Sequence, residues 1–471
     1  MPAASLRQVT AAVIAVGTVA AAGLTHAAPE TPDRRLNIVV ILTDDQSFDT
    51  LPSDPAAMPW LQSQILDPGG HWLWFPNAFI QTPLCCPSRA TILSGRYSDH
   101  THVRTNDDGS RFDESSTVAT WLHDAGYFTG LIGKYLNRYP FGRGPYIPPG
   151  WDRWVAKRNT AASTTYQNFG LVDQGVALQT SDSPATYATD LFADRALDFL
   201  ETAPRDRPFF LYFAPSAPHP PWTPPPRHDG AFADVTFTLP ASVEERNVSD
   251  KPVWVRRLKP ISPDERDGLL DDRRREGEAL LGVDDAVERI VGELAASGEL
   301  DRTVIVFMTD NGYSFGEHRI RGKRCAYEEC IRTPLAVRMP SAEAHVEPGL
   351  ISNVDLAPTI ADLAGVTPSI AQDGRSFAAA LRDGGWSSPN AVFLDWAGDR
   401  GIPSWQGVRT RDFAYIEDAD GSAELYDLTG RLGPADPLEL RNRASDPRYR
   451  DTIARLAGVL QTFRSRAPSR R

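Results

Sequence analysis

The sequence predicts an α/β protein built on a mixed, largely parallel sheet that is sandwiched by helices. Short apolar, β-branched runs alternate along the chain with segments whose apolar residues recur at helical spacing. That order is typical of parallel strands joined by helical crossovers, which cover both faces of the sheet. The predicted strands are 37–42, 128–132, 209–213 and 303–308, and the predicted helices are 58–66, 118–125, 187–201 and 280–296.

The pattern changes after about residue 385. Segments 391–396, 407–410 and 414–417 alternate like strands, and 453–463 has the spacing of an amphipathic helix. We therefore expect a smaller C-terminal antiparallel sheet plus a helix, packed against the main sheet. The predicted organisation is a signal peptide at 1–27, a catalytic α/β domain at 28–385 and a C-terminal α+β subdomain at 386–471.

Composition limits the classes of partner. The 471 residues are 41% hydrophobic and 23% charged, as in ordinary globular proteins, and the formal net charge is −12. This charge argues against nucleic acid as a partner, because a polyanion would be repelled. It leaves room for a small anionic substrate, since a local cationic pocket outweighs a distant negative surface.

The N-terminus has the features of a secretory signal peptide. Arg7 precedes an apolar, alanine-rich core at 9–24, and Ala27 ends a short segment suited to cleavage. We expect a secreted or cell-envelope protein with no transmembrane segment after signal removal. An N-terminal membrane anchor is the alternative, although the apolar run is short for a span.

Acidic residues follow two of the predicted strands. Asp44 and Asp45 come directly after the first strand, and Asp310 and Asn311 come directly after the strand at 303–308. Ligand sites in such sheets form at the carboxyl ends of strands. Three carboxylates and one amide oxygen suit Ca²⁺, with Mg²⁺ as the alternative. The pair Asp284-Asp285 lies inside a predicted helix, where we expect it to face solvent or cap a packing contact.

A cysteine-rich motif lies at 84–96, with the sequence Leu-Cys-Cys-Pro-Ser-Arg-Ala-Thr-Ile-Leu-Ser-Gly-Arg. Pro87 suits a first helical turn, so Cys85 would lie at a helix entrance beside free N–H groups. Arg89 adds a fixed positive charge one turn later. The alternative is a structural thiol pair or disulfide. Cys325 and Cys330 are close enough in sequence to bridge after export, and Cys86 would remain free.

The motif resembles the signature of type I, formylglycine-dependent sulfatases of the alkaline phosphatase superfamily. The resemblance implies an alkaline-phosphatase-like fold and oxidation of Cys85 to formylglycine by a formylglycine-generating enzyme during maturation. It also implies that the modified Cys85 binds Ca²⁺ together with Asp44, Asp45, Asp310 and Asn311.

Further family motifs imply the remaining catalytic residues. Gly322-Lys323, followed by Tyr327-Glu328, is similar to the family's second lysine motif, and Ala217-Pro218-His219 to its histidine loop. Lys134 is similar to a sulfate-binding lysine. The catalytic residues implied by the resemblance are Cys85, Arg89, Lys134, His219 and Lys323.

The segment Gly-Lys-Tyr-Leu-Asn at 133–137 resembles the N-acetylglucosamine-6-sulfatase and extracellular endosulfatase branch, next to the arylsulfatases. Leu136 stands where many sulfatases have a histidine, and Asn137 is a candidate substrate contact. Asn311 differs from the histidine expected in that branch. His318 lies between the metal and lysine motifs and is a second candidate substrate contact, with a plain loop role equally open.

The resemblance implies a secreted sulfatase that hydrolyses sulfate monoesters through a formylglycine geminal diol on a Ca²⁺ site. The expected substrate is a sulfated small molecule or glycan, such as N-acetylglucosamine-6-sulfate, or an aryl sulfate. The alternatives are a phosphonate or phosphate ester hydrolase of the same superfamily, and a non-catalytic glycan-binding relative in which Cys85 is unconverted.

Overall fold

The computed structural model describes residues 35–465, except residues 54, 159–164, 244 and 383–384. The predicted signal peptide lies outside these residues. The strands are β1 Asn37–Thr43, β2 Trp72–Trp74, β3 Ala78–Phe79, β4 Phe128–Gly133, β5 Arg153–Lys157, β6 Gly170–Asp173, β7 Val176–Gln179, β8 Phe209–Ala214, β9 Thr303–Thr309, β10 Ser314–Phe315, β11 Arg321–Gly322, β12 Leu335–Arg338, β13 His345–Val346, β14 Ile351–Ser352, β15 Val392–Trp396, β16 Trp405–Arg409, β17 Phe413–Asp418 and β18 Ala423–Asp427.

Helices of very different length connect the strands, and several 3₁₀ turns accompany them. The α-helices are α1 Pro59–Leu66, α2 Cys85–Ser94, α3 Ser98–Thr101, α4 Val118–Asp124, α5 Ala188–Thr202, α6 Val253–Arg256, α7 Pro263–Ala296, α8 Glu328–Ile331, α9 Leu356–Ala364, α10 Ala378–Arg382 and α11 Arg450–Arg464.

The main sheet is mixed and has a parallel centre. Its strand order is β13-β2-β12-β9-β1-β8-β4-β5-β6-β7. The five strands from β9 to β5 in this order run parallel to one another, whereas β12, β6 and β7 pair antiparallel with their neighbours. β1 has five consecutive apolar residues between Asn37 and Thr43 and is buried along its whole length, as is typical of sheets covered on both faces.

Helices cover both faces of this sheet. Val40 points to one face, where it joins a buried cluster with residues of α2, α4 and α9. Its neighbour Val39 points to the other face and packs with residues of α1, α5 and α7. Successive side chains of a strand point in opposite directions, so one apolar strand supplies both cores. The predicted sandwich of helices about a largely parallel sheet is confirmed.

The predicted helix at 280–296 is the second half of α7. The helix begins at Pro263, after a capping box in which Ser262 and Glu265 satisfy each other's backbone N–H groups. Its first half is mostly charged, and Leu269 is one of the few buried apolar residues there. The apolar spacing on which the prediction depended is therefore present only in the second half.

The C-terminal sheet has the order β15-β16-β17-β18, and every pair is antiparallel. Leu456 and Leu460 of α11 pack on its apolar face with Phe393 and Val408. The predicted small antiparallel sheet plus helix is confirmed, and the division at residues 385 and 386 stays a prediction. Within the described residues, every helix is too short or too polar to cross a bilayer.

Candidate active site

The site forms where β1 and β9 end. These strands are parallel neighbours, with Thr43 opposite Thr309, so the residues after them lie at the same edge of the sheet. The backbone N–H of Asp310 donates to the carbonyl of Thr43 at 3.1 Å. Asp45 has a φ of 61°, a left-handed turn that lets its N–H reach Asp310 Oδ1 at 3.2 Å. The structure thus brings the acidic pairs of the two strand ends together.

Cys85 begins α2 and faces these acids. Its Sγ lies 3.4 Å from Asp44 Oδ1, 3.6 Å from Asp45 Oδ1 and 2.8 Å from Lys323 Nζ. The side chain is fully buried, and burial raises the pKa of its thiol. Gly95, with a φ of 66°, ends the helix as predicted. Cys85 is therefore a buried thiol held between two carboxylates and an ammonium group.

Three buried cations balance the carboxylates. Lys134 Nζ donates to Asp44 Oδ2 at 2.6 Å, and Arg89 Nε donates to Asp310 Oδ2 at 2.6 Å. Lys323 Nζ donates to Asp45 Oδ1. All three cations are under 10% exposed, so they act at short range in a medium that screens poorly.

The cations decide the charge state of the acids. Burial by itself would raise the pKa of Asp44, but Lys134, His219, Arg89 and Lys323 hold it well below the usual value. The pKa of Asp45 is lowered against the effect of burial, chiefly by Lys323. For Asp310, burial and the neighbouring Asp44 outweigh Arg89 and raise the pKa to about 6.

His219 lies on a loop that runs beside Asp45. Its Nδ1 lies 2.7 Å from the carbonyl oxygen of Pro220, so Nδ1 carries the proton because a carbonyl can only accept. Its Nε2 lies 3.5 Å from Asp45 Oδ2. Burial lowers the pKa of His219, although Asp45 and Asp44 oppose this effect. In the neutral ring, Nε2 is therefore a free acceptor that faces a carboxylate.

The residues fit a hard divalent cation. Asp44, Asp45, Cys85 and His219 each place a ligand atom within 4.8 Å of the others. Among the described residues, the buried atoms Asp45 Oδ2 and Asn311 Oδ1 have no hydrogen-bond partner. Asn311 Nδ2 donates to Asp45 Oδ1 at 2.7 Å, so its oxygen is the atom left over. Orphaned oxygen ligands on a carboxylate and an amide are the donor set that Ca²⁺ prefers.

Two further residues, Asn137 and His318, are predicted to contact substrate. Asn137 is half-buried beyond the end of β4, and its buried Oδ1 has no partner among the described residues. His318 is only 1% exposed, and its ring contacts Tyr327 at 4.2 Å between centroids. Its Nδ1 lies 2.7 Å from Glu245 Oε2. His318 is as enclosed as the predicted nucleophile Cys85, and its role as a substrate contact stays a prediction.

The structure adds a lysine that sequence analysis missed. Lys157 ends β5, with its Nζ 2.9 Å from the carbonyl oxygen of Thr165 and 3.4 Å from Ser216 Oγ, next to the histidine loop. Burial lowers its pKa to about 7, although the charge of Asp44 opposes this shift. The short, partly charged sequence of β5 lacked the apolar run that predicted the other central strands.

The cysteines other than Cys85, and the acidic residue Asp284, have roles in packing and in chain connection. Cys325 and Cys330 form a disulfide, with their Cα atoms 5.7 Å apart, and Cys86 is free and buried, with a pKa raised by burial to about 12. Asp284 accepts hydrogen bonds from the backbone N–H groups of Trp60 and Leu61, at the start of α1. The expectation that the acidic pair caps a packing contact is met by Asp284.

Two family models cover the chain. Residues 36–366 match the Sulfatase model, and residues 316–466 match the C-terminal model of N-sulphoglucosamine sulphohydrolase. The first match spans more than half of the chain, so the protein belongs to the sulfatase family. The resemblance seen in the cysteine motif is thereby confirmed.

Curated relatives carry sulfatase names. The chain is 35% identical over 358 residues to an extracellular sulfatase SULF-1 homolog of Drosophila melanogaster, covering 73% of this chain and 31% of the relative. It is 34% identical over 383 residues to an N-acetylglucosamine-6-sulfatase of Homo sapiens, covering 78% of this chain and 66% of the relative. The matches thus span less than two thirds of these relatives.

Solved structures show the same fold. A protein in complex with its substrate D-glucosamine-2-N,6-O-disulfate superposes with a TM-score of 0.78 at 25% identity, covering 92% of this chain and 98% of that one. The phosphonate monoester hydrolase of Agrobacterium radiobacter superposes with a TM-score of 0.73 at 21% identity, covering 92% and 96%. The alkaline-phosphatase-like fold is therefore confirmed.

Proposed function

We propose that this protein is a secreted sulfatase that hydrolyses the sulfate monoester of a sulfated sugar. The observation that carries the proposal is the position of Cys85, whose buried Sγ lies 2.8 Å from Lys323 Nζ and beside Asp44 and Asp45. Lys134 and Arg89 add positive charge at the same edge of the sheet. Carboxylates that can hold a metal ion, with three side-chain cations beside them, suit an anionic ester.

Two groups supplied after translation complete this proposal. Formylglycine, made from Cys85 by a formylglycine-generating enzyme, supplies a hydrated aldehyde whose hydroxyl is the nucleophile. A calcium ion held by Asp44, Asp45, Asp310, Asn311 and residue 85 supplies positive charge for that nucleophile and for the sulfate oxygens.

The chain's own residues bind the sulfate and move the proton. Lys134, Lys323 and Arg89 stabilise charge that develops on the sulfuryl oxygens, and they need no rearrangement because carboxylates already hold them in place. The leaving alcohol takes its proton from His219 Nε2 or Lys323 Nζ. Asp45 lies 3.5 Å from His219 Nε2 and opposes the lowering of the His219 pKa by burial, but the pKa stays below its usual value, so His219 would have to gain a proton before it could donate one.

The proposed substrate is N-acetylglucosamine-6-sulfate or a glycan that carries it. Support comes from the human relative named N-acetylglucosamine-6-sulfatase and from the neighbouring structure that holds a glucosamine disulfate. Asn137, with an unpartnered Oδ1, is the proposed sugar contact. Secretion is supported by the N-terminal sequence and by relatives named extracellular sulfatases.

Sulfate release from N-acetylglucosamine-6-sulfate and from nitrophenyl sulfate, with Cys85→Ala as control, tests the proposal. The wild type is expected to release sulfate from the sugar and the variant to release none above background. Turnover of the aryl ester alone would remove the sugar assignment. The sulfatase proposal would be overturned if neither ester released sulfate in protein whose peptide mass shows that residue 85 has been converted.

A phosphonate or phosphate ester hydrolase is the second candidate. The observation that favours it is the fold shared with the phosphonate monoester hydrolase of Agrobacterium radiobacter. Because phosphate and sulfate esters place similar charge on the same cations, turnover of matched nitrophenyl esters separates the two. An unconverted Cys85, detected by peptide mass in protein from the native host, would instead indicate a non-catalytic glycan-binding relative.

A further inference from the structure

A second group of metal-ligating side chains lies away from Cys85. His318, Glu329 and Glu439 each place one ligand atom within 4.8 Å of the other two. We call these three residues the second acidic cluster. His318 and Glu439 are each only 1% exposed. The three come from separate segments: the turn after β10, helix α8, and the loop that follows β18.

One polar atom of each residue is buried without a hydrogen-bond partner among the described residues. These atoms are His318 Nε2, Glu329 Oε2 and Glu439 Oε1. Other atoms of the same side chains are used: His318 Nδ1 contacts Glu245, and Glu439 Oε2 accepts from the N–H of Glu328 at 2.9 Å. Leaving three buried acceptors or donors unpaired at one place is costly, so the arrangement needs a common partner.

The orientation of His318 suits a cation. Glu245 Oε2 lies 2.7 Å from His318 Nδ1, and because a carboxylate accepts, Nδ1 carries the proton and Nε2 keeps its lone pair. Lys251 Nζ lies 3.1 Å from Glu245 Oε1 and forms an ion pair with that carboxylate. A carboxylate behind a histidine is the usual support of a metal-ligating imidazole.

Among the described residues, the ion pairs nearest the cluster are made by Glu328 rather than by Glu329 or Glu439. Glu328, next in sequence to Glu329, is paired with Arg409 at 2.7 Å and with Arg332 at 3.6 Å. These arginines therefore serve Glu328. Burial and neighbouring carboxylates raise the pKa values of Glu329 and Glu439 well above the usual value. Either a shared proton or a divalent cation would relieve this repulsion.

We propose that His318 Nε2, Glu329 Oε2 and Glu439 Oε1 bind a zinc ion. An imidazole nitrogen with two carboxylate oxygens is a zinc ligand set, whereas Ca²⁺ takes oxygen ligands alone. Two carboxylates offset the charge of the dication. Zinc–ligand bonds are about 2.0–2.2 Å long, and the three ligand atoms lie within 4.8 Å of one another.

The zinc ion would join three chain segments around a buried centre. His318 lies five residues before Lys323, and Glu439 lies beyond the C-terminal sheet. Fixing these segments to each other would hold the turn that leads into the lysine of the active site. The proposal does not depend on the reaction at Cys85, so either can fail without the other.

Metal content of the full-length protein, purified without chelator and incubated with one equivalent of ZnCl₂ before dialysis, tests the proposal. Wild type is expected to retain one zinc per chain, and Glu439→Gln to retain none. Asp45→Asn is expected to keep the zinc and to lose calcium. Glu424→Gln is the matched control, because Glu424 is a buried acid bonded to Tyr327, yet it lies outside the cluster.

Anomalous diffraction at the zinc edge on wild-type crystals locates the ion even where a variant fails to fold. A peak between His318, Glu329 and Glu439 supports the proposal. Wild type without zinc after incubation, or with a peak only at Cys85, would overturn it and leave a shared proton as the partner of the three atoms. Equal zinc in wild type and in folded Glu439→Gln would overturn it as well.

Discussion

Two buried acidic regions of this protein meet the cost of burial in different ways. In the active site, Asp44 lies 2.6 Å from Lys134 and Asp310 lies 2.6 Å from Arg89, and the pKa of Asp44 is held well below its usual value. In the second acidic cluster, the pKa values of Glu329 and Glu439 are raised well above it.

The difference follows from the cations that each region contains. Fixed cations lower the pKa values of Asp44 and Asp45, whereas the pKa of Asp310 is raised to about 6 despite Arg89. In the proposed function the same cations offer positive charge to an anionic ester. In the part of the chain that the structure describes, one polar atom of each residue of the second acidic cluster has no hydrogen-bond partner, which suits the buried cation proposed there. The pairing of acids with side-chain cations therefore separates a substrate site from a structural site.

The largest expected effect is loss of catalysis on removing an active-site cation. Lys323→Met should lower kcat/KM for N-acetylglucosamine-6-sulfate by about a thousandfold, the scale of losing one preorganised charge donor. Its Nζ contacts both Cys85 and Asp45. Exposed Lys259→Met is the matched control and should match wild type. Activity within tenfold of wild type in Lys323→Met would contradict the role given to this cation.

Calcium removal should destabilise the active-site region. Dialysis against a calcium chelator should lower the thermal unfolding midpoint, and calcium at a hundred times its dissociation constant should restore about 2.7 kcal/mol. Asp45→Asn should respond little, because it loses a carboxylate whose Oδ2 is unpartnered. Calorimetry with and without calcium measures both. An equal calcium response in wild type and variant would show that the ion binds elsewhere.

Near the second acidic cluster, the stability of the protein should fall as pH rises, because the pKa of Glu424 is raised whereas that of Asp44 is lowered. Burial, with Asp418 nearby, raises the pKa of Glu424 to about 8 from 4.5. The native state then holds its proton more tightly than the unfolded chain, so this residue's contribution to stability is full below pH 4.5 and declines as pH rises to about 8.

Glu424→Gln should remove that decline. Urea unfolding at pH 5 and pH 9 should show the variant gaining stability relative to wild type at the higher pH, since a neutral amide has no charge to desolvate. Gln can still accept from the hydroxyls of Tyr327 and Tyr426, the partners of Glu424. A difference between the two proteins that is the same at both pH values would refute the raised pKa.

The smallest expected effect concerns a buried acid that has neither a cation nor a metal. Asp284 accepts from Trp60 N at 2.7 Å and from Leu61 N at 2.9 Å, so Asp284→Ala should cost about 1–2 kcal/mol of unfolding free energy, as loss of a helix cap does.

The neighbouring Asp285→Ala is the matched control. Asp285 is 36% exposed and pairs with Arg227 and His228 at the surface, so its removal should cost under about 1 kcal/mol. Chemical denaturation measures both variants. An equal loss in the two would show that the backbone hydrogen bonds of Asp284 add nothing beyond surface charge.

The sequence predicted four of the five central strands from short runs rich in apolar residues, and it did not predict β5. It predicted Asp44, Asp45, Asp310 and Asn311 because they follow two of those strands. It missed the edge strands and the charged half of α7. Short or polar elements are stabilised by what packs against them, and that information is not local. For the same reason the sequence did not single out Lys157, whose side chain is buried beside Ser216 only in the folded protein.

The sequence by itself determined the fold class and the strand-end positions of Asp44, Asp45, Asp310 and Asn311, since local apolar patterns fix strand ends and parallel strands align those ends at one edge. The resemblance to sulfatase motifs implied the lysines and the histidine of the site. Only the tertiary structure decided which cation meets which carboxylate. It also decided that His318 is enclosed with Glu329 and Glu439. Glu439 is 121 positions from His318 and 110 positions from Glu329 in the sequence. Packing brings the three residues together, and no local sequence pattern records that packing.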